Sequence, residues 1–232
     1  MLRASYREEG VCYTGPHYRK HVALHMLSHA HSIFTPTSRI KGLKRLEEIF
    51  NRSSPRHSAR DNKFMWSFDP SVVDAFRITT CFENLFKARL ILDGWLIHEI
   101  SRDKQFDLWK RQRSVPIRVS TVKGIEGHVG KRDIGYIFET LSIKTIQWRT
   151  LVEQPDYRHA IGLPERLFEA LRPFAAKRNS LHFLALNSAQ YSRKTVDDLR
   201  VIKNAFNRFV VQRHNRMVLQ LGIHSNHLID EI

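Results

Sequence analysis

Apolar positions recur at spacings of three and four along most of the chain, the period of one face of an α-helix. Over 17–34, Ala23, Leu27, Ala30 and Phe34 share such a face. Thr14, Gly15 and Pro16 supply its start, because proline is tolerated where the first helical N–H groups have no partner, and Pro36 supplies its end. A second stripe, Ile40, Leu43, Leu46, Ile49 and Phe50, predicts a helix over 39–50. The polar run 51–63, with Ser53, Ser54 and Pro55, predicts an exposed, mobile connection. Asp69 and Pro70 then combine an N-cap with a first-turn proline. The helix they open extends by pattern to about Ile100, through Val72, Phe76, Phe82, Leu85, Phe86, Leu92 and Leu96. At 1.5 Å per residue it would be about 45 Å long, the central spine of a bundle, with Gly94 as a bend.

The stretch 110–132 departs from this pattern, holding Pro116, Gly124, Gly127 and Gly130, and the alternation Val115, Ile117, Val119, Thr121 predicts a short strand there. Helical spacing returns over 133–152 and again from Leu163, where Pro164 marks a start. Thr195 to Asp198 is a Thr-x-x-Asp capping box opening a last helix through Val201, Ile202, Phe206, Phe209, Val210 and Met217. No internal repeat is present. These elements predict an all-α multi-helix bundle formed as one domain over 1–232. Its parts are N-terminal helices and a linker to 66, the long central helix, a small non-helical insertion at 110–132, and C-terminal helices over 133–232.

Composition adds a partner class. The 232 residues carry 38 Lys and Arg against 23 Asp and Glu, a net charge of +15, so the expected partner is a polyanion, most simply nucleic acid. A hydrophobic fraction of 42% with only 10 glycines and 8 prolines excludes collagen-like and wholly disordered chains. Cys12 and Cys81 are too few and too far apart for a CxxC metal site or a disulfide framework, which points to a reducing, cytoplasmic setting. The longest apolar window, 90–100, is broken by Asp93, His98 and Glu99, so no membrane span is expected; Arg3, Arg7, Glu8 and Glu9 leave no apolar stretch for an export signal at the start. The four tryptophans, Trp66, Trp95, Trp109 and Trp148, are expected in the core or in helix packing.

Arg178-Asn179-Ser180-Leu181-His182-Phe183 holds the most chemistry. On a helix, Arg178 and His182 are four apart and Asn179 and His182 three apart, which turns all three polar groups to one side. A histidine can take the proton of a ribose 2′-OH or protonate a 5′-oxygen leaving group, and an arginine can hold a phosphate in a bidentate fork. The alternative is an ordinary solvated helix face. The segment resembles the R-x(4–6)-H signature, often written RNxxxH, of HEPN domains (higher eukaryotes and prokaryotes nucleotide-binding). A second leg, Cys81-Phe82-Glu83-Asn84-Leu85-Phe86-Lys87-Ala88-Arg89-Leu90-Ile91, is similar to the core-helix pattern with a Lys-Ala pair found in several branches of that family. The resemblance spans about 72–209. It departs from the family in having three residues between Arg178 and His182; Lys177 would restore a spacing of four, but an ammonium does not reproduce the guanidinium fork.

The resemblance implies a helical bundle, often dimeric, in which two copies of the motif meet to cleave RNA without metal or other cofactor. Such domains serve in toxin–antitoxin, abortive-infection or CRISPR-linked defence, so an antitoxin or defence-complex partner is implied as well. It makes His182 the general acid and base, Arg178 the phosphate binder and Asn179 their support. Glu83 and Lys87 would then be supporting residues, against the plainer reading of an i,i+4 salt bridge. The alternative function is a non-catalytic RNA- or DNA-binding module, or a defence-complex partner, whose site has degenerated.

Further cations lie in the last helix region: Arg193, Lys194, Arg200, Lys203, Arg208, Arg213 and Arg216 stand against Asp197 and Asp198, with Tyr191 and His214 as possible stacking groups. With Lys177 they form the expected RNA-binding set, the alternative being plain solvation. His17, His21, His25 and His29 repeat at four, but each step drifts about 40° around the helix, so all four cannot converge on one ion; a solvated or RNA-facing stripe is expected in place of a metal site. Gly124 and Gly130 followed by Lys131 and Arg132 lack the spacing and hydroxyl of a Walker A loop. Lys123, Lys131 and Arg132 are left as phosphate-backbone contacts or a simple basic turn.

Overall fold

Of the residues that the computed structural model describes, 16–34, 43–51, 58–61, 63, 72–100, 102, 106–118, 141–179 and 193–221, 81% are helical, and the only sheet among them has two strands. The chain is all-α with a small non-helical part. In order, the elements are α1 (Pro16–Phe34), α2 (Leu43–Asn51), α3 (Val72–Leu92), β1 (His98–Ile100), α4 (Phe106–Gln112), β2 (Leu141–Thr145), α5 (Trp148–Glu153), α6 (Pro155–Ile161), α7 (Glu165–Asn179) and α8 (Arg193–Ala205). A π-helical segment (Phe206–Val211) and α9 (Gln212–Gln220) follow α8 directly. Two compact units divide the chain, one of Met1–Ser28, Glu83–Leu163 and His214–Ile232, the other of His29–Phe82 and Pro164–Arg213.

In the first unit, α3 stops well short of the expected Ile100 because Gly94 terminates it and does not merely bend it. Gly94 takes φ 82, the left-handed region open to glycine at no Cβ cost. The Gly94 N–H donates to the Ile91 carbonyl at 3.0 Å and the Trp95 N–H to the Leu90 carbonyl at 2.8 Å, the paired bonds of a Schellman stop. Beyond it the backbone is extended. The Leu96 N–H donates to the Ile117 carbonyl and the Ile97 carbonyl accepts from the Ile146 N–H, both at 2.8 Å. Those two groups leave the strand on opposite edges, so the segment is held from both sides. β1 then pairs antiparallel with β2, His98 opposite Thr145 and Ile100 opposite Leu141, with a register irregularity between them.

Thus the helix expected over 133–152 is, where described, a strand at 141–145 followed by a six-residue helix, and of the strand expected at 115–121 the described part, to 118, makes one bridge, between Arg118 and Trp95. Lys110 itself lies in α4, and 119–140 lie outside the described residues. Pro155 opens α6 and Gly162, φ 63, closes it. The buried side chains of this unit include Leu24, Leu27, Leu85, Phe86, Leu90, Ile91, Ile97, Leu151, Tyr157 and Ile161.

In the second unit, α7 begins just after Pro164, whose carbonyl accepts from the Leu167 N–H at 2.9 Å, and buries Leu167, Phe168, Leu171 and Phe174. It packs against α8, which also meets α2. α8 starts at Arg193, ahead of the expected cap, so Thr195 is a helical residue; the Asp198 carboxylate accepts from Lys194 one turn earlier instead of reaching back to a cap N–H. The π segment keeps Phe206 and Val210 buried. Phe206 stacks on Phe34 with ring centres 4.0 Å apart, and His31 stacks on it at 5.9 Å. Phe76, expected in the stripe of the central helix, is 44% exposed. Of the 51–63 connection, 51, 58–61 and 63 are described; there Asp61 is buried, accepts from the Ser58 hydroxyl at 2.8 Å and faces Arg45 at 3.6 Å, while 52–57 and 62 lie outside the described residues.

Replacing Gly94 with alanine is expected to lower stability by about 1–2 kcal/mol, because an L residue resists the left-handed conformation that ends α3. Urea denaturation of parent and variant measures it. Equal midpoints would show that the chain leaves α3 without needing a positive φ.

Candidate functional site

Arg178 and Asn179 lie in the last turn of α7, where the unpaired carbonyl ends of the helix favour a nearby cation. The side chains of Lys177, Arg178 and Asn179, and the whole of His182, lie outside the described residues. What is placed is the backbone of the helix end that carries the arginine, on a helix that packs against the cationic helix α8.

The second leg of the resemblance, 81–91, lies within α3, and its Cys81, Glu83, Lys87 and Arg89 are taken up in the fold. Cys81 is buried, and desolvation pushes its thiol pKa far up, away from a reactive thiolate. Lys87, its side chain only 8% exposed, places Nζ 2.6 Å from Glu83 Oε1 and 2.8 Å from Thr145 Oγ1. The i,i+4 salt bridge read from the sequence is therefore present, and it also ties α3 to β2. Phe86 stacks on Trp148 at 5.8 Å. Arg89 donates from Nε to the Ile161 carbonyl and lies 3.4 Å from that of Gly162, satisfying the end of α6, as Arg158 does for the Val152 carbonyl at the end of α5.

The cations of α8 and of the π segment behind it fall into two groups. Lys194 is paired with Asp198 at 2.7 Å; Arg200 is paired with Glu47 and Asp197, both at 2.9 Å, and these hydrogen bonds and charges hold its guanidinium more firmly protonated. Arg193 and Arg208 are exposed and Lys203 is half-buried, with no ion pair among the described residues; Arg208 lies over the Phe209 ring at 5.2 Å. Arg193, Asp197, Arg200 and Asn204 follow one another at four, three and four, so they line the outward face opposite Val196, Leu199 and Ile202.

A pocket of about 140 Å³ in the first unit was not foreseen from the sequence. Glu99 of β1, Trp109 and Gln112 of α4, the following Arg113, and Gln147 and Thr150 at the start of α5 surround it, with Ile146 beneath. Its frame is tightly bonded. The Tyr157 hydroxyl donates to the Gln112 carbonyl at 2.6 Å, Gln112 Nε2 donates to the His98 carbonyl at 2.7 Å, and Trp109 Nε1 donates to Glu99 Oε1 at 3.3 Å. Arg102 and Arg113 lie over the Trp109 ring at 5.2 and 4.9 Å. Trp95 carries Arg118 at 5.4 Å, so two of the three described tryptophans, all half-buried, serve as arginine platforms, while Trp148 packs between helices on Phe86 as expected; Trp66 lies outside the described residues. No single segment betrays this pocket, since its walls come from 99, 109–113 and 146–150.

Of the histidine row, His25 and His29 are exposed and His21 half-buried, and among the described residues no group of three or more His, Cys, Asp or Glu could hold a metal ion. His214 meets Ser28, with Oγ and Nε2 2.9 Å apart, and its Nδ1 lies 3.3 Å from Asn215 Oδ1. This resembles a nucleophile with its base, but Ser28 sits inside α1, where the surrounding N–H groups are spent on helix bonds and leave no pair of donors for an oxyanion. The loop cations Lys123, Lys131 and Arg132 lie outside the described residues. No described helix is long and apolar enough to cross a membrane. Comparison with known protein families, with curated proteins and with solved structures finds no match.

Burial, and then the Glu99 carboxylate, push the Tyr157 pKa well above its usual value near 10. At pH 7, Tyr157→Phe is expected to cost about 1–3 kcal/mol, since the Gln112 carbonyl loses its donor. Above pH 10 the unfolded phenol releases its proton while the folded one keeps it, so the parent loses up to about 1.4 kcal/mol per pH unit through this group and the gap to the variant narrows. Urea midpoints of both proteins from pH 7 to 11 test this. A gap that stays constant would show that the folded phenol ionises as freely as the unfolded one.

Proposed function

We propose that this chain binds RNA along the outward face of α8 and cleaves it without a metal ion, as a HEPN-like endoribonuclease. The observation that carries the reading is the packing of α7, which ends on Arg178 and Asn179, against α8, whose outer face holds Arg193 and Arg200, with Arg208 in the π segment behind it. A backbone tracked by those cations passes beside the helix end that bears the motif, and the +15 charge supplies the long-range attraction.

In this reading His182 accepts the proton of a ribose 2′-OH as that oxygen attacks the adjacent phosphorus, the P–O5′ bond breaks, and the leaving oxygen takes a proton from an imidazolium. Arg178 holds the non-bridging oxygens as charge builds on them, and Asn179 orients the imidazole. The products are a 2′,3′-cyclic phosphate and a 5′-hydroxyl end. The family resemblance adds a second copy of the chain facing the first, an antitoxin or defence-complex partner, and a cytoplasmic setting. Glu83 and Lys87 support the fold in this scheme, Lys87 donating both to Glu83 and to Thr145. A second reading, RNA binding without cleavage, is favoured by one observation: three residues lie between Arg178 and His182 where the family has four to six.

Cleavage of an end-labelled single-stranded RNA in EDTA separates the two. The parent is expected to release cyclic-phosphate ends, while His182→Ala and Arg178→Ala lose at least about 100-fold in rate and still bind RNA in a salt-dependent way. Cleavage at the parental rate by both variants would overturn the catalytic assignment. Binding by the parent without any product would establish the second reading.

A further inference from the structure

We propose that the pocket between β1, α4 and the start of α5 receives the base of an unpaired guanosine nucleotide. The assignment rests on the RNA reading for the source of that nucleotide and not on cleavage.

The argument starts from the carboxylate. Glu99 Oε1 accepts one long hydrogen bond from Trp109 Nε1, at 3.3 Å, and a carboxylate has about four lone-pair sites, so most of its acceptor capacity still faces the pocket. A group with two oxygens side by side best meets two donors side by side. Among the four RNA bases only guanine presents that pattern on its Watson–Crick edge, N1–H beside the exocyclic N2 amine. Adenine and cytosine place a ring acceptor next to their amine, which would oppose a carboxylate lone pair. Uracil offers one N–H between two carbonyls.

Other lining residues complement the remaining edge. The Gln147 amide and the Thr150 hydroxyl offer donors where guanine carries its O6 and N7 acceptors. Arg113 is exposed and layered over Trp109 at 4.9 Å, and a guanidinium plane is a stacking surface for a base and a fork for a phosphate. The frame is preorganised: Tyr157, Gln112 and His98 form one hydrogen-bonded chain, and two arginines flank the indole, so little would be lost in ordering these walls when a ligand enters. The pocket, about 140 Å³ and open on one side, has room for a single base.

Titration calorimetry with GMP, AMP, CMP and UMP tests the pocket, and an RNA hexamer holding one guanine, compared with an all-adenine hexamer, tests the source. The parent is expected to bind GMP about tenfold more tightly than AMP. Glu99→Gln keeps an acceptor for Trp109 but turns an amine toward the base, and is expected to erase that preference. Gln147→Ala, on an exposed side chain, is expected to weaken GMP severalfold, whereas Arg149→Ala, paired with Glu153 outside the pocket, leaves it unchanged. Equal affinity for all four nucleotides, no binding of any, or an undiminished preference in Glu99→Gln overturns the proposal. A GMP preference with no binding of either hexamer keeps the pocket and removes the RNA reading. Binding of both hexamers with no guanine preference among nucleotides or hexamers does the reverse.

Discussion

A buried ammonium organises the first unit. Lys87 sits almost wholly out of water, and an unpaired charge there would cost several kcal/mol, so the fold must bring it both a carboxylate and a neutral acceptor. Glu83 comes from the preceding turn of the same helix. Thr145 comes from the far end of the sheet, 58 residues on in sequence. Satisfying one lysine therefore fixes where β2 lies against α3, and β2 in turn fixes Ile146, Gln147 and the start of α5. Gly94 completes the arrangement by releasing the chain from α3 at the point where it can pair with that strand. The pocket is what remains where these constrained segments meet α4.

Helical stretches that bury one face could be read directly. The Ala23, Leu27, Ala30, Phe34 stripe and Pro16 gave α1, and Pro164 gave the start of α7, because spacing and proline chemistry act locally. Errors came where one local signal admits two outcomes. Gly94 can bend a helix or end it; the choice was made by Leu96 and Ile97 finding carbonyl and N–H partners at Ile117 and Ile146, contacts that no window around Gly94 contains. Leu141, Ile143 and Thr145 alternate as a strand while also fitting a helical run that continues into Leu151. Thr195 and Asp198 have the form of a cap, but Lys194 competes for the same carboxylate.

The candidate site divides along the same line. The motif at Arg178 to His182 is legible because it is contiguous, and so was the basic helix behind it, although pairing of Lys194 and Arg200 with carboxylates leaves fewer unpaired cations there than the sequence count suggests. The pocket was illegible. Glu99 read as an interruption in an apolar run and Trp109 as packing, and neither revealed that the sheet and α4 would set them 3.3 Å apart. Recognition chemistry assembled from distant segments leaves no periodic trace.

The π segment between α8 and α9 has a consequence for chain length. A π turn accommodates one residue more than an α turn over the same rise, so Phe206–Val211 stores a single-residue surplus within an otherwise continuous helix. Deleting one residue there would let the helix run on as plain α, and because rise and turn stay the same the later side chains would keep close to their present places around the axis. The segment is therefore the place in this helix where the loss of one residue is absorbed, whereas a one-residue change within the plain α turns of α8 would swing the side chains behind it by about 100°.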